Sequence, residues 1–121
     1  MSKVGRMWKT TPRAAVHPTM MDIAWAAGIF EGEGTTRQTP GSTQTTVGQS
    51  DRWILERFQL LFGGQIYGPF NTGPISRSKQ WRWVVYGARA RGFLLTMFSF
   101  LSPRRQEQAL KAMRIERKGI E

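Results

Sequence analysis

The sequence predicts an α+β domain, a four-stranded antiparallel sheet covered on one face by helices, in the order αββαββα. Three observations predict it. Short segments with apolar residues at helical spacing are interleaved with segments that read as strands. Proline and glycine fall between them, at Pro18, Pro40-Gly41 and Gly63-Gly64. Trp81, Trp83 and Val85 alternate with Arg82, Val84 and Tyr86, the period of a strand with two unlike faces.

The elements follow in order. Residues Met1 to Pro18 carry Lys3, Arg6, Lys9 and Arg13 with no acid, and read as a flexible basic arm. Thr19 can cap a first helix, with Asp22 completing a capping box, and the helix runs from Met20 to Gly32. Thr35 to Gln38 and Thr43 to Gln49 read as a β-hairpin around Thr39-Pro40-Gly41-Ser42. Its only strongly apolar side chain is Val47, so core packing is not its expected main role. Ser50 is expected to cap a second helix, Asp51 to Phe62, with Ile54, Phe58, Leu61 and Phe62 on its apolar face and Gly63-Gly64 as its stop. Gln65 to Phe70 is a third strand of undecided register, Asn71 to Ser78 a turn region, and Gln80 to Tyr86 a fourth strand. Gly87 to Phe100 is a third helix. Ser102-Pro103, a cap followed by proline at the first helical position, starts a last helix reaching Arg117. The domain then spans residues 19–118, with 119–121 as a tail.

Composition narrows the function. The 121 residues hold 18 Lys or Arg against 8 acids, a net charge of +10. Between Gly34 and Gln106 only Asp51 and Glu56 are acidic, so the charge belongs to folded sequence and suits a surface that follows phosphates. Most cations are arginine, which binds phosphate and guanine in two-pronged fashion. There is no cysteine, and His17 is the one histidine, which argues against disulfide frames, zinc fingers and histidine-cluster nucleases. No apolar run reaches the roughly 18–20 residues of a membrane span, and the N-terminus lacks the apolar centre of a signal peptide. An intracellular protein (cytoplasmic, phage-host or organellar), not a secreted one, is expected.

The first helix carries the chemistry. Ala24, Gly28 and Gly32 recur every fourth residue, a smooth stripe against which a second backbone can pack. Glu33 ends the stripe. If two copies of the helix pack side by side, two Glu33 carboxylates meet, a pair suited to a hard cation such as Mg²⁺.

Residues Ala26 to Gly34, A-A-G-I-F-E-G-E-G, resemble the motif L-A-G-L-I-D-A-D-G of the LAGLIDADG homing endonucleases. Ala27, Gly28 and Gly34 are identical; Ile29, Phe30, Glu31 and Glu33 are like-for-like; Ala26 departs from the family's leucine. The resemblance implies a homing-endonuclease-like domain whose sheet lies in the DNA major groove. It implies a single-motif homodimer that cuts double-stranded DNA with Mg²⁺ or another divalent cation. A mobile-gene context, intron, intein or free-standing, is implied as well. By the same resemblance Glu33 is the metal ligand, Gln49 helps hold water or metal near the phosphate, and Arg104, or next Arg105, stabilises charge there. Glu31 would serve the helix junction. The interface would be Ala24, Gly28 and Gly32.

Strand alternation supplies the expected DNA contacts: Thr35 and Arg37 on the first strand, Gln44 and Thr46 on the second, Gln80 and Arg82 on the fourth. Arg77 and Lys79, in the adjoining turn, and Arg105 are expected on phosphates. The short hairpin predicts a smaller or less specific target than long-stranded relatives would have. Two other readings compete. One is a non-cleaving DNA- or RNA-binding protein, maturase- or regulator-like, on the same fold. The other is a small basic RNA- or ribosome-binding protein, monomeric and indifferent to metal. The E-x-K string Glu116-Arg117-Lys118 has no strand beside it and is discounted as a nuclease motif.

Overall fold

The computed structural model describes residues 12–71 and 79–115. Helix α1 is Met20–Glu33, strand β1 Gly34–Thr39, β2 Ser42–Gln49, helix α2 Arg52–Phe62, β3 Gln65–Asn71 and β4 Lys79–Tyr86. Helix α3 is Gly87–Met97, continued by a 3₁₀ turn, Phe98–Phe100, and α4 is Pro103–Met113. The sheet runs β1-β2-β4-β3, every neighbouring pair antiparallel, with the helices on one face. The expected α+β class and strand set are present, and the final helix makes the order αββαββαα.

Helix α1 starts as its sequence dictates. Thr19 Oγ1 accepts from the Asp22 N–H at 3.1 Å and the Asp22 carboxylate accepts from the Thr19 N–H at 2.9 Å. Ala26, Ala27 and Phe30 face the core, whereas Met21, Ala24, Gly28 and Gly32 face outward. The chain then passes directly into β1 at Gly34. A Cβ at Gly34 would overlap the Phe30 ring and lie 2.6 Å from the Phe30 carbonyl oxygen, so only glycine lets helix and strand join here. Gly34→Ala is therefore expected to destabilise the fold by about 1–3 kcal/mol, the usual cost of overpacking. Urea unfolding measures it; an unchanged midpoint would contradict the tight junction.

The helix boundaries differ from expectation in three places. Asp51, not Ser50, caps α2, its carboxylate accepting from the Trp53 N–H at 3.1 Å. Both residue types cap well, and Asp51, with an extended backbone, is the one directly before the first helical residue. The third helix tightens into a 3₁₀ turn after Met97, which brings Leu101 into the core. Helix α4 stops at Met113 instead of Arg117. Arg114 adopts a left-handed φ of 60°, and Ile115 N–H reaches Leu110 O at 2.9 Å. This is a helix stop without the usual glycine, so nothing in the residue types announces it. The string Glu116-Arg117-Lys118 lies outside the described residues.

Trp83 centres the core. It is fully buried, ringed by Phe58, Phe62 and Phe93, and its indole N–H donates to Gly63 O at 2.7 Å. Trp81 faces the same side but is half-buried, with the Arg52 guanidinium 4.5 Å above its ring. The hairpin does more packing than its polar sequence suggested. Thr43, Thr45 and Val47 are all buried on the helix side. Thr43 donates to Ala112 O at 3.0 Å and Thr45 pairs with Thr36 at 3.1 Å, so each hydroxyl is satisfied while its methyl group packs. Threonine here acts as an apolar residue with a tethered oxygen.

Of the expected arm, residues 1–11 lie outside the described residues. Residues 12–15 are tied down: Pro12 O accepts from Gly64 N–H and from Arg89, each at 2.9 Å, and Ala15 N–H donates to Leu60 O at 2.8 Å. Among the described residues, no helix is long and apolar enough to cross a membrane.

Candidate nucleic-acid interface and carboxylate site

The sheet face turned away from the helices collects most of the expected contacts. Register aligns them in cross-strand rows: Arg37 beside Gln44 beside Tyr86, and Thr35 beside Thr46 beside Val84. A third row sets Gly48 beside Arg82 beside Tyr67. Thr35, Arg37, Gln44, Thr46 and Arg82 line one shallow hollow of about 420 Å³ together with Tyr67, Phe70, Val84 and Tyr86. Arg37 Nε donates to Gln44 Oε1 at 2.8 Å, which holds both head groups over the sheet. The Gln80 side chain lies over Gly48, its Oε1 3.5 Å from where a Cβ at that glycine would sit. Lys79 is exposed at the start of β4. Arg77 lies outside the described residues.

The register of β3, left undecided by the sequence, pairs Gln65 with Val84 and Tyr67 with Arg82, then shifts so that Phe70 meets Gln80. The shift is a bulge, and with it Tyr67 and Phe70 join the hollow. Reading for polar side chains alone missed Tyr67, Phe70, Val84 and Tyr86. For Val84 and Tyr86 the signal was present, since they alternate in step with Arg82.

At one end of this face stands Glu33. It is exposed and, among the described residues, has no hydrogen-bond or ion-pair partner. It directly precedes Gly34, whose partner across the ladder is Val47, two residues before Gln49. Glu33 and Gln49 therefore belong to the same end of the sheet. Gln49 is half-buried and pairs with Trp81.

Glu31 behaves differently. Its carboxylate accepts from Ser102 N–H at 2.9 Å and from Ser102 Oγ at 2.7 Å, pinning the end of α1 to the start of α4. These two bonds, with the positive charge of Arg105 and Arg104, hold its pKa below the ordinary glutamate value despite the opposing effect of desolvation. A carboxylate with a depressed folded pKa stabilises the fold above the unfolded pKa and loses that contribution as pH falls through the folded value. Glu31→Ala should therefore cost about 1.5–3 kcal/mol near neutral pH, the worth of a hydrogen bond to a charged group. The difference from wild type should shrink as pH falls below the ordinary glutamate pKa and through the depressed folded value. A pH series of urea melts reads this directly, and a pH-independent difference would contradict it.

Arg105 donates through Nε to Glu31 O at 3.0 Å and through Nη1 to Gln108 at 3.1 Å, so it braces the same junction. Arg104 is exposed in the first turn of α4, and its charge reaches the Glu31 carboxylate. The end of α1 and the beginning of α4 thus meet, and Glu33 and Arg104 are both exposed there.

No family model matches the chain, and no curated protein matches it in sequence. Solved structures do. The homing endonuclease I-CvuI, in complex with its target in the presence of calcium, superposes with a TM-score of 0.60 at 18% identity over 78% of this chain and 64% of that one. The group I intron-encoded homing endonuclease I-CeuI, complexed with DNA, gives 0.60 at 15% identity over 82% and 55%. The archaeal intron-encoded homing endonuclease I-Vdi141I, also complexed with DNA, gives 0.57 at 16% over 75% and 64%. The chain thus spans less than two thirds of the length of these relatives. At such identities the likeness is one of fold: the chain shares the fold of these homing endonucleases, as the resemblance read from residues 26–34 implies.

Proposed function

We propose that this protein is a site-specific double-strand DNA endonuclease acting as a symmetric homodimer with Mg²⁺ or another divalent cation. One observation carries the reading. Glu33 is an exposed carboxylate without a protein partner among the described residues, at the end of a helix whose outward stripe is Ala24, Gly28 and Gly32. A Cβ at Gly28 or Gly32 would meet nothing within 4 Å, so the stripe is open to a second helix.

The donor set fits a metal only across two chains. Among the described residues, no cluster of three or more acidic, histidine or cysteine side chains exists within one chain. Two Glu33 carboxylates, one from each copy, together with phosphate and water oxygens, supply the hard oxygen ligands that Mg²⁺ takes. A cation bound there supplies an acidified water and charge neutralisation at the phosphate. The chain's own residues do the rest. The sheet face and its arginines hold the duplex through phosphate and base-edge contacts. Gln49, at the Glu33 end of the sheet, orients a water by hydrogen bonding. Arg104 offsets the negative charge that develops on the phosphate oxygens during attack. Arg105, held on the Glu31 carbonyl oxygen, adds positive potential beside Arg104. Each subunit cuts one strand of a roughly palindromic site.

Light scattering with and without duplex DNA tests the assembly. A dimer in either state is expected. A monomer in both would leave Glu33 without its twin and overturn the paired-carboxylate site in favour of a non-cleaving nucleic-acid binder.

A further inference from the structure

The outward sheet face has two halves of different chemistry. Strands β1 and β2 present Thr35, Arg37, Gln44 and Thr46, all able to donate or accept hydrogen bonds. Strands β4 and β3 surround Arg82 with apolar surface: Tyr86 is 51% exposed, Tyr67 45% and Phe70 38%, with Val84 at 5% as the floor between them. All four lie on the face opposite the helices, and of them only Val84 is buried. Phe70 already has a partner, the Arg82 guanidinium 4.8 Å above its ring. Tyr86 and Tyr67 have no such cover, and the edge of Val84 that still meets solvent lies between them.

Exposed apolar surface set among base-reading side chains needs an apolar feature on the partner. In the major groove, the apolar feature of a base edge is the C5-methyl group of thymine, or of a methylated cytosine. Resting on the DNA reading above, we infer that Tyr86, with the edge of Val84 beside it, forms a seat for pyrimidine C5-methyl groups, so that part of each half-site is selected by methyl contact instead of hydrogen bonding.

Register also says where. Gln49 pairs with Trp81 at the Glu33 end of the sheet; Val84 and Tyr86 lie farther along β4, beside Thr46 and Gln44. At about 3.3 Å per strand residue they are roughly 10 and 17 Å beyond that end. With base pairs about 3.4 Å apart, this is on the order of three to five steps outward. The methyl-sensitive positions therefore lie in the outer part of each half-site, away from the cleavage centre.

The test uses the full-length protein and duplexes with a randomised half-site. Bound sequences are recovered, then every thymine is exchanged for deoxyuridine and every cytosine for 5-methylcytosine, one position at a time, with affinity read by fluorescence anisotropy. Thymines three to five steps out should bind roughly fourfold more weakly per methyl group removed, the worth of one buried carbon. Inner positions should not respond. Tyr86→Ser, a change at an exposed side chain, should erase the thymine-to-uracil difference at its own position, and Val84→Thr should do so at the neighbouring one. A gain on cytosine methylation at those positions, without selected thymine, would assign the seat to 5-methylcytosine. Uracil equal to thymine at every outer position, together with no response to cytosine methylation, in duplexes that still bind, overturns the methyl seat and leaves the DNA reading standing. Recovery of no duplex at all overturns both.

Discussion

Glu33→Gln is expected to abolish strand cleavage while leaving DNA affinity intact. The substitution removes a formal charge and half the oxygen donors at the helix end, and in a symmetric dimer it does so twice. A loss of at least about 10²–10³-fold in cleavage rate is expected, the usual cost of deleting one electrostatic contributor at a reacting centre. Folding should not suffer, because Glu33 is exposed and has no partner among the described residues. Affinity should hold or tighten slightly, since a negative charge close to phosphates is removed from a chain of net charge +10. Cleavage of a selected target in Mg²⁺, measured beside anisotropy on the same duplex, separates the two effects. Undiminished cleavage by the variant would remove Glu33 from the active site. Equal and parallel losses of cleavage and binding would assign it to DNA contact instead of catalysis.

Gly28→Leu should break the dimer without harming the monomer. In the isolated chain a side chain at position 28 meets open space. Leucine is also a better helix former than glycine, which costs about 0.8–1 kcal/mol against alanine in a helix interior, so the subunit gains local stability. Against a second copy of α1 the same leucine would hold the two backbones several ångströms apart and separate the Glu33 pair. The expected result is monomeric mass by light scattering, unchanged helical circular dichroism, and cleavage lost with every residue of the carboxylate site still present. A variant that stays dimeric and cuts normally would show that the stripe is not the interface. Together with Glu33→Gln, it distinguishes a site lost by chemistry from one lost by assembly.

Much of the fold was legible because local signals agreed with one another. The Thr19–Asp22 capping box, the Pro40-Gly41 turn, the Ser102-Pro103 helix start and the period-two alternation in β4 each stand where the residue types point. The failures share a cause as well. Arg114 ends α4 in a left-handed conformation through backbone bonds, not through a residue that favours it. The hairpin threonines look solvent-facing by polarity, yet Thr43 and Thr45 are buried because α4 supplies an acceptor and a neighbouring threonine completes the pair. The buried threonines depend on partners elsewhere in the chain and the helix stop on backbone bonds alone, and residue type announces neither.

The candidate site divides along the same line. Its residue types were readable: a carboxylate ending a small-residue helix, arginines and glutamines on alternating strands, a basic helix start. The sequence by itself determined the α+β plan, the basic face and the outward Ala24–Gly28–Gly32 stripe, because each follows from spacing within a single element. Tertiary structure decided what spacing cannot. It separated the two glutamates of the motif, binding Glu31 to Ser102 and leaving Glu33 without a partner among the described residues. It set the β3 register through a bulge, bringing Tyr67 and Phe70 beside Arg82. Which of two like side chains is held, and which faces open solvent, is fixed by the element that packs against them, and that element comes from elsewhere in the chain.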